Sequence, residues 1–388
     1  MLVSDLRSDT CATIVVLLLL FARMVSDQRS DTNRMATMPN PAHDLRDRIE
    51  TRVNQGLLGR WYVAAKSVQV KANVPFGTML LGKKIVLWRD QAGKAHALED
   101  FCPHRGAPLS RGEVHEGNLA CRYHGVTLDG AGTILRVPAM PDCNLEGRRA
   151  VESYEVAESS DALFVYMPSA ARPKAPALAL PPEFTTGEWT GFNCSSAWEC
   201  NYRYALDNLA DPMHGAYLHA NSFTLAFGSK QDLMKLTKTD NDGFLVSRVT
   251  QVGENFDWTD MVVTDDTMFC RLDIPYPAAG GPGGPFRIIG FTTPVDERRC
   301  RVYFWRMRKV SGVAREAWRF LYRSTFEARH WAVLEQDREM LENMPDDARK
   351  REMLYQHDVG VSRIRVLLKQ AARAQLEAED ARALQAAE

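Results

Sequence analysis

In the first half of the chain, short runs of alternating apolar and polar residues are separated by glycine, proline and aspartate, the pattern of half-buried strands joined by tight turns. Gly59-Arg60-Trp61-Tyr62-Val63-Ala64 opens the series. It continues through Gly77 to Leu87, Ala95 to Glu99, Leu119 to Leu128, Thr133 to Val137, Tyr154 to Ala157 and Ala162 to Tyr166. Ahead of these strands, Ala42 to Val53 reads as a polar helix. Behind them, Pro168 to Pro182 is rich in Ala and Pro with few large apolar side chains, which predicts an extended connector.

The period then changes. Trp189 to Trp198, Gly243 to Val252, Asn255 to Val263, Met268 to Ile274, Arg287 to Thr293 and Arg301 to Lys309 read as strands, and Asn201 to His219 as a helix. Ala314 to Met344 carries apolar residues at helical spacing, among them Trp318, Leu321, Phe326, Leu334 and Leu341, and a second long helix runs from Val359 to Ala387. The expected fold is therefore α+β. A small all-β domain with its leading helix (42–168) is followed by a linker (169–188), and then by an antiparallel sheet gripped by long helices (189–388).

Composition narrows the function classes. The 388 residues are 45% hydrophobic and 25% charged, and 48 Lys and Arg nearly cancel 49 Asp and Glu. No basic stripe points to nucleic acid and no polyacidic tail to a disordered partner region. Val3 to Thr10 nearly repeats as Val25 to Thr32 around an apolar run, Ala12 to Ala22, that is too short to span a bilayer. No small-residue cleavage site or twin arginine follows. Residues 1–41 are expected to be an unstructured leader, with Met24, Met35 or Met38 as alternative starts. Cys11, Cys143, Cys194, Cys200, Cys270 and Cys300 show no framework spacing, which fits reduced thiols in a cytoplasmic protein with no membrane partner.

Two cysteines differ from the rest. In Phe101 to Gly125, FCPHRGAPLSRGEVHEGNLACRYHG, Cys102-x-His104 is followed after sixteen residues by Cys121-x-x-His124. Two thiolates with two imidazoles suit a tetrahedral zinc or a [2Fe-2S] cluster with one histidine-ligated iron. Zinc fingers keep their Cys pair and His pair apart, whereas here each half-site mixes one of each. Neutral imidazoles in place of two thiolates make an added electron less costly and raise the potential to roughly −150 to +300 mV, against about −400 mV for a four-cysteine cluster. The string resembles the Rieske ferredoxin and oxygenase motif, and Pro103, Arg105 to Leu109 and Tyr123 to Gly125 fit it. Arg122 and Val126 depart from it, standing where Pro and Trp are common, beside the ligands on the surface that would face an electron donor.

A second constellation lies in Asp207-Asn208-Leu209-Ala210-Asp211-Pro212-Met213-His214-Gly215-Ala216-Tyr217-Leu218-His219. On an ideal helix His214 and His219 would point about 140° apart. Their convergence would need a π-type turn near Gly215 or a helix ending between them, and Pro212 after Asp211 suggests a new turn with Asp211 as N-cap and Pro212 at N1. The stretch resembles the mononuclear iron motif of Rieske non-haem iron ring-hydroxylating oxygenases, with Trp198, Asn201 and Arg203 upstream. Such iron uses two histidines and one carboxylate. On the long helix, Glu327, Glu335, Asp337, Glu339 and Glu342 compete for the third place, and the family's late E-x-D stretch, here Glu335-Gln336-Asp337, selects Asp337.

The resemblance implies a terminal oxygenase component with a [2Fe-2S] cluster on Cys102, His104, Cys121 and His124 and a non-haem Fe(II) on His214, His219 and Asp337. Asp211 is expected to link a neighbouring subunit's cluster histidine to an iron histidine, and Asn208 to order water or substrate near the iron. Implied partners are O2, a small organic, aromatic substrate, a ferredoxin or flavin reductase, and further copies in a homotrimer, with a beta subunit in some relatives. Phe223, Phe227, Trp258, Phe269, Phe291 and Trp305 are candidate pocket walls, and Ala278 to Pro285 a candidate entrance loop. The rivals are a Rieske electron carrier without oxygenase activity and a zinc-stabilised ligand-binding protein.

Overall fold

The computed structural model describes residues 41–222, 231, 233–240, 242–249, 258–274, 284 and 286–387. Residues 1–40 of the expected leader, Phe223, Phe227 and most of the candidate entrance loop lie outside them. The chain divides into two compact units, residues 1–48 and 49–388. Of the first, residues 41–48 are described and are helical, within α1 (Pro41–Gln55).

In the second unit the alternating runs become three small antiparallel sheets. β1 (Arg60–Lys66) pairs with β11 (Ala162–Met167), which pairs with β10 (Val156–Ser159). β2 (Phe76–Leu80), β3 (Lys83–Arg89), β4 (Ala95–Glu99) and β9 (Ser153–Tyr154) form the second sheet, and β5 (Glu113–His115), β6 (Asn118–Ala120), β7 (Thr127–Leu128) and β8 (Ile134–Arg136) the third. The runs expected as single strands over Gly77 to Leu87 and Leu119 to Leu128 are strand pairs. Leu81 and Gly82 take positive φ and turn the first run back on itself, and the loop from Cys121 to Val126 divides the second. Trp88 is fully buried, with its indole N–H on the Gly117 carbonyl at 3.0 Å, and anchors the third sheet to β3.

Beyond the connector, seven described strands make one antiparallel sheet. They are β12 (Trp189–Trp198), β13 (Met234–Lys238), β14 (Phe244–Arg248), β15 (Trp258–Val263), β16 (Met268–Ile274), β17 (Phe286–Pro294) and β18 (Cys300–Lys309), in the order β12-β18-β17-β16-β15-β14-β13. One face packs on the first sheet: Trp61, Val63, Phe164 and Tyr166 form one core with Phe269, Ile289, Phe291, Tyr303 and Trp305. That shared core fixes the two sheet systems against each other.

The other face is covered by helices. α2 (Tyr202–Leu209) and α3 (His214–Leu218) precede the sheet's middle strands, and α4 (Gly312–Leu321) continues through a π turn at Tyr322–Phe326 into α5 (Glu327–Glu342). α6 (Val359–Ala387) closes the chain. Trp318 and Asp337 would lie about 100° apart on an unbroken α-helix. A π turn that absorbs one residue restores whole turns between them, so both face the sheet. Both are buried.

Candidate metal centres

Cys102 and Cys121 head two loops with one hydrogen-bond plan. The Cys102 N–H donates to Ala107 and the Gly106 N–H returns to Cys102, both at 2.8 Å. The Cys121 N–H donates to Val126 at 2.9 Å and the Gly125 N–H to Cys121 at 2.8 Å. Each loop needs a left-handed residue at the fourth position after its cysteine, which Gly106 (φ +75°) and Gly125 (φ +73°) supply. A Cβ at Gly106 would stand 2.9 Å from the Phe101 ring.

These loops sort the four side chains by type. Both cysteines lie in the core of the third sheet with Leu109, Leu119 and Leu128. His104 is exposed and His124 half-buried, with their rings edge to face at 4.5 Å. Burial and the neighbouring Cys121 thiol push Cys102 up to about 11, so a bound cation is what would keep the two as thiolates. A single tetrahedral ion needs all its donors around one point. Among the described residues, the group whose ligand atoms all fall within 4.8 Å of one another is a different one, His214, His219 and Asp337. A thiol pair and a separate imidazole pair fit a two-iron cluster better than one zinc.

The second site begins where a helix fails. Pro212 has no N–H to continue α2, which ends at Leu209 with its carbonyl held by the Thr259 hydroxyl at 2.9 Å. The Asp211 Oδ1 accepts the Met213 N–H at 2.8 Å, and α3 then starts at His214. The new turn therefore forms as expected, but the helix starts two residues later than Asp211 as N-cap would have it. α3 ends at Leu218, leaving His219 outside helical geometry (φ −102°, ψ 19°). The helix ends between the histidines and the π turn lies elsewhere, at Tyr322–Phe326. Gly360 permits the close approach of α6 to the break, since a Cβ there would meet the Ala210 carbonyl at 2.2 Å.

The two imidazoles now converge, with ring centroids 5.2 Å apart. His214 Nδ1–H donates to the Asp211 carbonyl at 2.5 Å and His219 Nδ1–H to Gln336 Oε1 at 2.8 Å. With Nδ1 committed on both rings, Nε2 is the atom that each would offer to a metal. Each Nε2 faces Asp337 Oδ1, His214 at 3.4 Å and His219 at 3.2 Å. Burial opposes charge on Asp337 and His214, but the pair outweighs it. The imidazoles hold the carboxyl far below the usual carboxylate range, and Asp337 lifts His214 to about 9. A buried Nε2, Nε2, carboxylate set is a facial donor set for a divalent transition metal, and these residues fit Fe(II).

Asn208 donates its amide N–H to Asp337 Oδ1 at 3.2 Å, which adds orientation of the carboxylate to its place beside the site. The Asp211 carboxylate lies 3.9 Å from His214 Nδ1, so its contact with this ring runs through the main-chain carbonyl. Glu335 pairs with Arg338 at 2.6 Å near the surface, and Glu342 with the same arginine at 2.6 Å.

The triad opens into a cavity walled by Leu209, Leu272, Ile274, Ile288 and Phe304, with Thr259, Arg306 and His330 as polar members. Of the candidate walls, the four that are described do not line this cavity, and three of them are core. Side chains alternate across a strand, and the even-numbered Leu272, Ile288 and Phe304 face the cavity while Phe269, Phe291 and Trp305 face the core shared with the first sheet. Trp258 is half-buried and does not line the cavity. Gln336, Arg306, His330 and Thr259 were not anticipated. Gln336 had a signal, as the middle residue of the E-x-D stretch, but Arg306 had none because β18 is buried almost throughout.

Comparison with known proteins agrees with both halves. Residues 60–155 match the Rieske [2Fe-2S] domain and residues 198–374 the vanillate O-demethylase oxygenase C-terminal domain. The vanillate O-demethylase oxygenase subunit of Pseudomonas sp. (strain HR199 / DSM 7063) is 31% identical over 278 residues, covering 64% of this chain and 76% of that protein. The oxygenase component of dicamba O-demethylase from Stenotrophomonas maltophilia is 35% identical over 178 residues, 43% of this chain and 49% of that protein. The crystal structure of dicamba monooxygenase bound to dicamba superposes with a TM-score of 0.66 at 23% identity, covering 84% of this chain and 99% of that one, a likeness of fold.

Proposed function

The chain belongs to the Rieske non-haem iron oxygenases, and from that premise we propose that it O-demethylates or hydroxylates a small aromatic compound as the terminal oxygenase of a multicomponent system. The observation that carries this reading is a two-histidine, one-carboxylate set opening into an apolar cavity, in the same chain as the Cys/His loop pair. An electron carrier alone would need no such cavity.

Cys102, His104, Cys121 and His124 would hold the cluster, and His214, His219 and Asp337 the iron. Together these groups supply single electrons and O2 activation. The chain's own residues do the rest. The Asp211 carbonyl and Gln336 fix the tautomers of His214 and His219, and Asn208 steadies Asp337. The apolar walls exclude water and orient the substrate.

We assign the all-β electron-transfer part to residues 42–168, the connector to 169–188 and the catalytic part to 189–388. Its electron donor would be a ferredoxin or flavin reductase. We place the protein in the cytoplasm; no helix among the described residues is long and apolar enough to cross a membrane. A homotrimer is supported by two exposed surfaces. The histidine edge of the Cys/His loops carries exposed Phe101 and Tyr123, and the groove beside Asp211 and His214 is rimmed by Tyr217 and Leu354, both also exposed. Such unlike surfaces close into a ring by rotation.

The test is reconstitution with NADH, a reductase and aryl methyl ethers. Formaldehyde release coupled to O2 uptake is the expected result, and electron acceptance without any substrate oxidation across the panel would reject the oxygenase reading.

A further inference from the structure

Arg306 is 3% exposed, yet it lines the cavity that holds His214, His219 and Asp337. Its Nη1 donates to the Tyr322 hydroxyl at 2.9 Å and its guanidinium lies 5.0 Å from the Trp331 ring centroid. Both partners are neutral, since burial pushes the Tyr322 phenol upward. Three less deeply buried arginines meet carboxylates: Arg271 meets Asp260 at 2.6 Å, Arg287 meets Asp273 at 2.7 Å and Arg365 meets Asp207 at 2.7 Å. Among the described residues Arg306 has no such pair. A desolvated cation without a counterion is costly to keep, and a cavity is where a ligand can supply the missing charge.

The neighbour on the helix does not supply it. Burial, then Arg306 and Arg329, push His330 down to about 3, so at working pH it is a neutral imidazole. His330 and Asp337 lie on α5 about 10 Å apart along its axis. The cation and the iron donor set thus line one cavity, with His330 beside Arg306 and Asp337 about two helical turns further along the same wall.

We infer that Arg306 anchors the carboxylate of an aryl carboxylic acid, with the substituent to be oxidised on the opposite side of the ring, toward His214, His219 and Asp337. This rests on the proposed oxygenase reading for the purpose of the site, but the anchoring itself is a binding property. Arg suits the task because its planar fork meets a carboxylate bidentately. It is a specificity-determining residue and no part of the electron path.

The test compares 4-methoxybenzoate and 3-methoxybenzoate with their neutral amides as ligands of the holoenzyme, by calorimetry without electron donor and by steady-state turnover with it. The wild type should bind at least one acid about tenfold or more tighter than its amide. Arg306→Met should bring that ratio close to one, and Arg306→Lys should restore part of it. In turnover the loss should fall on KM more than on kcat. Cluster absorption and iron content, measured first, show whether each variant is folded, and the lysine variant carries the test if the methionine variant is not. Equal binding of acids and amides by the wild type, or an acid preference that survives Arg306→Met, would overturn the inference. Arg306-dependent binding without turnover would leave the anchor standing and count against the oxygenase reading. Turnover of neutral ethers indifferent to Arg306 would do the reverse.

Discussion

Gln336 Oε1 accepts the Nδ1–H of His219 at 2.8 Å, while the next residue, Asp337, faces the other nitrogen of the same ring at 3.2 Å. Consecutive residues of one helix thus grip both edges of an imidazole that is only 2% exposed. Gln336 sets the tautomer, and Asp337 faces the nitrogen left free for a metal. Replacing Gln336 by Leu should leave the fold and the cluster spectrum intact, because the glutamine is half-buried and distant in sequence from both cysteine loops. It should weaken retention of the mononuclear metal by about 10–100-fold, the usual effect of losing a partner that orients a ligating histidine. Iron content after dialysis against a graded chelator measures this, and unchanged retention would show that His219 is oriented by packing alone.

Asp337 and Glu335 are two residues apart on α5 and do opposite work. Asp337→Ala removes the carboxylate that both Nε2 atoms face, so the protein should purify with its cluster and without mononuclear iron. Glu335→Ala breaks only a solvent-screened surface pair with Arg338. It should keep its iron and nearly all of its activity. Metal analysis of the two variants side by side decides the third ligand, and the opposite pattern would move it to Glu335.

Much of this was legible in the chain because it rests on local chemistry. The Cys102 and Cys121 half-sites carry their own turn glycines, and alternation marks most strands. What could not be read depends on distant partners. Pro212 marks a break within Asn201 to His219, but not that one helix stops at Leu209 and the next starts only at His214, because the break is completed by Thr259 from the sheet and by the approach of α6 at Gly360. The π turn at Tyr322–Phe326 reconciles two faces of one long helix that only the assembled sheet defines. For the candidate wall aromatics the open question is parity: strand position shows that neighbours face opposite sides, but which side is the cavity is settled by the packing of another sheet.

In protein stripped of its mononuclear metal, His214 takes up a proton with a value near 9, against an ordinary 6.5, because of Asp337. The ion pair therefore stabilises the metal-free fold fully below about pH 6.5, down to the ordinary carboxylate range, and its contribution is lost as pH rises through 9. Binding of Fe(II) must displace that proton. At pH 7 uptake should release about one proton per ion, falling toward zero above pH 9. Calorimetric titration of the chelator-treated protein in buffers of different ionisation enthalpy reads the number directly. In metal-free Asp337→Asn protein the His214 imidazole should titrate well below its wild-type value, followed by NMR, and an unchanged titration there would assign the proton's stabilisation to another group.

Assembly gives the sharpest test of how the two sites cooperate. His104 and Tyr123 present the cluster loops outward, and the groove beside Asp211 and His214 is also open to the surface. If each cluster serves a neighbour's iron across a ring of subunits, two different defects can complement. Cys102→Ser should lack the cluster and keep mononuclear iron, and His214→Ala should lack that iron and keep the cluster; each alone should be inactive. Co-expressed with different tags and purified through both, mixed rings contain junctions where an intact cluster meets an intact iron site, so part of the activity should return. Asp211→Asn placed in the subunit that holds the intact iron site should then slow electron arrival without removing either metal, because the amide lacks the carboxylate's charge. Mixed rings that carry both metals and stay inactive, beside rings of the same tags with wild-type subunits that work, would mean that electrons pass within one chain.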